Sequence, residues 1–146
     1  MYEHILVPYD GTEEAEKGAR HAIDLAATVG ASIHALYVVD LPGAPRTPYV
    51  RDDEEELREQ YREYGEEVTG DLSEMAAEQD VDCQTAIRSG SIHEEINDYA
   101  EEEGMDLIVL GTAYRGKVGA LLGGLAEKVV RTSPTPVTTV RMQRDE

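Results

Sequence analysis

The chain has 146 residues, and its 31 acidic against 13 basic side chains give a formal charge of −18. That length suits one domain, 1–146, with a useful core, while the charge repels nucleic acid and anionic membranes and argues against either as a partner. No run of about 18 apolar residues is present and no basic segment leads into an apolar one, so a cytoplasmic protein is expected.

Five short apolar runs read as strands, and segments of helical period separate them. The first strand is expected from His4 to Tyr9 and a helix from about Glu13 to Val29, with Ile23, Ala26 and Ala27 on one face and Gly30 as its stop. A second strand, Ser32 to Val39, leads into a proline-containing loop, Asp40 to Arg51, read as a connector rather than a lid. Leu57, Tyr61, Tyr64, Val68, Leu72 and Met75 then recur every three or four residues and predict one inward face of a second helix, weakened by Gly65 and Gly70.

The third strand is expected over Asp82 to Arg88. Ser91 and Glu94 have the spacing of a capping box, opening a third helix with Ile92, Ile96, Tyr99 and Ala100 inward. Asp106 to Leu110 forms the fourth strand, Leu125, Val129 and Val130 anchor a fourth helix, and Pro136 to Arg141 forms the last strand. Strands joined by helices call for a five-stranded parallel sheet covered on both faces, a doubly wound α/β domain.

In such sheets ligands settle beyond the carboxyl ends of the strands, where strand order reverses. Two loops qualify. Pro8-Tyr9-Asp10-Gly11-Thr12 follows the first strand, and a stretch holding Gly111, Gly116, Gly119, Gly123 and Gly124 follows the fourth. Glycine permits close backbone approach and a helix start favours negative charge, so a phosphate is the expected ligand. The backbone N–H groups of Gly116, Gly123, Gly124 and Leu125 are the candidate donors, with Arg115 and Lys117 as local positive charge. Residues 111–117 also match Gly-x4-Gly-Lys, but Val118 stands where a magnesium-ligating hydroxyl belongs, and the match is read as chance.

Catalytic chemistry finds little support. His4, His21 and His34 are scattered, and His93 beside Glu94 and Glu95 fits a helix start better than a metal site. Cys83 is alone, which excludes an intrachain disulfide and a cysteine cluster, and no electropositive setting marks it as a nucleophile. No catalytic residue and no metal ligand is assigned. The acids are spread among apolar runs rather than gathered in a tail, a pattern expected of a chain adapted to concentrated salt.

Taken together, residues 5–12, 35–40, 90–96, 106–112, 121–124, 127–130 and 134–137 resemble successive blocks of the universal stress protein family, in order along essentially the whole chain. The resemblance implies the strand order 3-2-1-4-5, a homodimer and, in one branch of the family, ATP, with or without Mg²⁺, in the crevice between strands 1 and 4. It gives Asp10, after Pro8, a place facing the ribose and phosphates, and the backbone of Val38 the adenine edge. The nucleotide-binding branch resembles Gly-x2-Gly-x9-Gly-Ser/Thr. Gly111 matches its start, Tyr114 replaces its second glycine, and either Gly124 or Leu125 falls where the hydroxyl belongs. The other branch binds no ATP, which leaves a dimeric interaction protein as the alternative.

The last strand, Pro136 to Val140, is expected at a sheet edge and its β-branched residues suit pairing with a second copy. The resemblance points to the same homodimer.

Overall fold

The computed structural model describes residues 2–40, 52–112 and 124–142. Its elements run β1 (His4–Pro8), α1 (Glu13–Val29), β2 (Ser32–Val39), α2 (Asp52–Ala77), β3 (Cys83–Ser89), α3 (Ile92–Glu102), β4 (Leu107–Thr112), α4 (Leu125–Thr132) and β5 (Val137–Arg141). The five strands form one parallel sheet in the order β3-β2-β1-β4-β5. Fold class and strand order are those expected. The loop read as a connector, 41–51, and most of the glycine-rich stretch, 113–123, lie outside the described residues.

Alternation along the strands divides the core. Ile5, Val7, Ile33, Ala35, Tyr37 and Val109 face α1 and α2, whereas Leu6, Leu36, Ile108 and Leu110 face Ile96, Tyr99 and Val129 of α3 and α4. Thr12 caps α1 by accepting the Ala15 N–H at 3.3 Å. Gly30, at φ 76°, ends the helix and donates to Ala26.

Three sequence expectations need correction. Of the predicted inward face of α2, Val68 and Leu72 are buried, but Leu57, Tyr61 and Tyr64 are exposed. Ser91 is the N-cap of α3 yet makes no side-chain cap, because its hydroxyl lies 3.4 Å from His93 Nδ1 instead. In α4 only Val129 is fully buried among the three expected anchors, Leu125 and Val130 being exposed. In α2 and α4 the spacing was helical, but the neighbouring layer reaches only part of the face.

Two helical glycines have a packing reason. A Cβ on Gly18 would lie 2.6 Å from the Gly111 nitrogen, and one on Gly65 would lie 2.4 Å from the Tyr37 ring. These are the points where α1 meets β4 and α2 meets β2. Bare backbone here lets each helix lie close to the sheet, which offsets the lower helix propensity of glycine.

On the α3 face, His34 Nδ1 lies 2.7 Å from the Tyr99 hydroxyl, and the Arg88 guanidinium stands 4.9 Å from the Tyr99 ring centre. Arg88 also pairs with Glu95 at 3.8 Å and with Glu102. Burial, then the neighbouring His4, pushes the His34 pKa below its usual value. The unfolded chain therefore binds this proton more readily. Stability from neutral His34 is complete above about pH 6.5 and is lost as pH falls from there toward the lower folded pKa. Urea midpoints are expected to drop between pH 7.5 and 5.5, and to drop less in His34→Leu.

Candidate functional site

Strand order reverses between β1 and β4. β1 pairs with β2 over five rungs, from His4 with Ser32 to Pro8 with Leu36, but its recorded pairs with β4 are Ile5 with Leu107 and Leu6 with Ile108. Past these two rungs the strands part. The opening is a cleft of about 210 Å³.

Pro8, Tyr9, Asp10 and Thr12 form one wall, with Glu14 and Ala15 from the first turn of α1. Leu36, Tyr37 and Val38 of β2 form a second wall, while Ile92, Leu110, Gly111 and Leu125 complete the lining. Five of the eight predicted site residues therefore meet here: Pro8, Asp10, Val38, Gly111 and Leu125. Gly124 is the N-cap of α4, immediately before Leu125. Gly116 and Gly123, like Arg115 and Lys117, lie outside the described residues.

The backbone explains what Val38 offers. Tyr9 N–H donates to Leu36 C=O at 2.8 Å, on the β1 side of β2, whereas Gly90 N–H donates to Val39 C=O at 3.0 Å on the β3 side. Alternation then turns the N–H and C=O of Val38 toward β1. But the β1–β2 ladder stops at Pro8 and Leu36. A donor and an acceptor two atoms of backbone apart thus face the crevice beyond the last rung, the pattern needed to read the edge of a planar heterocycle.

Asp10 is held firmly. Its Oδ1 accepts from Thr12 N at 3.0 Å and Thr12 Oγ1 at 2.7 Å, and its carbonyl accepts from the Tyr64 hydroxyl at 2.9 Å. Gly11, at φ 81°, lets the chain turn here, and a Cβ on it would lie 2.8 Å from Tyr64 Oη. Asp10 is therefore an Asx-turn residue at the entry to α1 as well as a wall of the cleft.

Gly111 has a role the glycine count did not reveal. A Cβ there would fall 1.7 Å from the Glu14 carbonyl oxygen. The residue must be glycine for α1 to cross β4, whatever the cleft holds. Gly124 is different, since a Cβ on it would meet nothing within 4 Å. The N–H groups of the first turn of α4 have no intrahelical acceptors, and Gly124 provides no side-chain cap.

Sequence reasoning placed Tyr9 and Thr12 in a ligand loop without singling them out, and it missed Glu14, Ala15, Leu36, Tyr37, Ile92 and Leu110 as lining residues. Thr12 carried a visible signal, being a capping residue just after the strand. The others carry side chains typical of strands and helix starts, and only the fold brings them to one place. Among the described residues no group of three His, Cys, Asp or Glu side chains could hold a metal ion. Cys83 is half-buried, and burial pushes its thiol pKa up, away from a nucleophilic thiolate.

Residues 1–141 match the universal stress protein family. The chain belongs to that family. A universal stress protein of Methanocaldococcus jannaschii is 34% identical over 149 residues, covering 100% of this chain and 86% of the relative. In structure, the chain is similar to universal stress protein UspA from Lactobacillus plantarum, with a TM-score of 0.82 and 28% identity over 96% of this chain and 98% of the other. Two more distant structures share the fold. One is a universal stress protein in complex with cAMP, with a TM-score of 0.75, 19% identity and coverage of 97% and 99%. The other is an Arabidopsis thaliana family protein with AMP bound, with a TM-score of 0.72, 16% identity and coverage of 98% and 94%. No helix among the described residues is long and apolar enough to cross a membrane.

Proposed function

We propose that this universal stress protein binds an adenine nucleotide in the crevice between β1 and β4 and acts as a small stress-response or signalling module. The observation that carries the reading is the unpaired backbone edge of Val38 facing that crevice, opposite Gly111 and the start of α4. The base would lie against Val38 between Pro8 and Ile92, the ribose near Asp10, and the phosphates toward the N-terminal turn of α4 after Gly124. ATP is the proposed ligand, with Gly116, Gly123, Gly124 and Leu125 as phosphate donors, and Mg²⁺ would offset the charge that the phosphates bring near Asp10. No residue is assigned a catalytic step. Calorimetric titration with ATP, AMP and cAMP tests the reading. Saturable binding of at least one, lost in Val38→Pro, is the expected result, and no heat from any of the three overturns it.

A second reading, a dimeric interaction protein with no nucleotide, is favoured by a different feature. β5 lies at the sheet edge, and Val130 of α4 is 53% exposed. Ile108 N–H donates to Pro136 C=O and Met142 N–H to Thr112 C=O, so the N–H groups of residues 138, 140 and 142 turn inward to β4 and those of Val137 and Thr139 turn outward. We infer that a second copy pairs with this edge along Pro136 to Val140, about a two-fold axis. Val137→Pro removes an outward N–H and leaves the β4 ladder intact. Light scattering is expected to give a dimer for the parent and a monomer for the variant; a monomeric parent refutes the pairing.

A further inference from the structure

α2 is longer than the sheet it covers. Its 26 residues extend about 39 Å, whereas the eight residues of β2, beneath it, extend only about 26 Å. The far half keeps the apolar stripe but loses the core: Leu57, Tyr61 and Tyr64 are 43%, 42% and 44% exposed, in line with buried Val68 and Leu72. Every residue from Glu55 to Tyr64 is exposed. Tyr64 ties the stripe to the body, its ring set edge-on to Tyr37 at 5.7 Å and its hydroxyl bonded to the Asp10 carbonyl.

The edges of the stripe differ in charge. At 100° per residue, Glu56, Glu63 and Glu67 follow one edge, while Arg58 and Arg62 follow the other, where Arg62 lies 3.9 Å from Glu66. An antiparallel two-fold pair of copies would set the glutamate edge against itself, whereas a basic edge on another helix complements it. We propose that the Leu57-Tyr61-Tyr64 stripe docks an amphipathic helix of another protein, whose apolar face is bordered by lysine or arginine on the side that meets Glu56, Glu63 and Glu67. Apolar contact supplies the affinity and the glutamate edge sets orientation and selects a basic partner.

The test uses the full chain and a synthetic helical peptide with leucine at spacings of three and four and lysine along one edge of the leucine face. Fluorescence anisotropy is expected to show saturable binding, weakened at least about tenfold in Leu57→Ala/Tyr61→Ala, whose circular dichroism should match the parent. Glu56→Lys/Glu63→Lys/Glu67→Lys is expected to weaken binding likewise, whereas Glu78→Lys/Asp98→Lys/Glu101→Lys, the same change of charge elsewhere, leaves it unchanged. No binding by the parent overturns the proposal. So do equal losses in the two triple variants, or equal binding of a peptide with serine at every leucine, since either shows only diffuse attraction to an acidic surface. Self-association of the parent that Leu57→Asp abolishes would assign the stripe to a second copy and also overturn it.

Discussion

Gly111→Ala is expected to be the most destabilising glycine-to-alanine change among the described residues. The new Cβ would fall 1.7 Å from the Glu14 carbonyl oxygen, and that oxygen belongs to the backbone of α1, so no side-chain rotation relieves the clash. Either α1 lifts from β4 or the strand shifts in a sheet where Gly111 is paired with Val140. Ordinary overpacking costs about 1–3 kcal/mol. Because backbone must move here, the loss should reach or exceed the upper end of that range, a large share of the roughly 5–15 kcal/mol that holds a domain together. Gly18→Ala acts on the same contact from the other side, its Cβ 2.6 Å from the Gly111 nitrogen, and should be milder. Gly124→Ala serves as the control, since its Cβ meets nothing within 4 Å. Urea denaturation of the three variants checks the order. A Gly111→Ala protein as stable as Gly124→Ala would show that α1 does not rely on this contact.

This contrast shows where sequence reasoning stops. Glycines 111 and 124 look alike as letters in a glycine-rich stretch, and both were assigned to phosphate approach. In the fold one is a helix-to-strand contact and the other is open. Gly18 carried a usable hint, because a glycine inside an amphipathic helix costs about 1 kcal/mol relative to alanine and so calls for a packing reason. The sheet order and the meeting of Pro8, Asp10, Val38, Gly111 and Leu125 followed from strand-helix alternation and the resemblance together, because chirality and the switch-point rule leave few alternatives.

The length mismatch of α2 was not legible in the same way. Periodicity reports which side chains share a face, but whether a layer lies opposite depends on strand length and position. Hence Val68 and Leu72 are buried while Leu57 and Tyr61 are exposed on one continuous stripe. The missing side-chain cap at Ser91 is a similar case. Its spacing with Glu94 fitted a capping box, yet Glu95 is the carboxylate drawn inward, toward Arg88, and a Cβ on Gly90 would touch its Oε2 at 2.8 Å.

Tyr114→Gly combined with Gly124→Ser should raise ATP affinity by about ten- to a hundredfold, the equivalent of one hydrogen bond to a charged group at roughly 1.5–3 kcal/mol. With Gly124 taken as the hydroxyl position, the two changes restore the second glycine and the hydroxyl of the family's nucleotide-binding pattern. The structure adds a reason to expect the serine to be tolerated. Gly124 has φ −66° and ψ 160°, an ordinary extended conformation for any residue, and open space where the side chain would go. Serine is also a preferred N-cap, worth a few tenths of a kcal/mol over glycine. Gly124→Ser alone should therefore raise the melting temperature slightly without nucleotide, which separates capping from phosphate binding. Gly123→Val should abolish binding by blocking close approach before the helix start. Calorimetry on the parent and the three variants reads all of this. If the doubly repaired protein binds ATP no better than the parent, the start of α4 is not a phosphate site, and the edge of β5 becomes the functional surface to pursue.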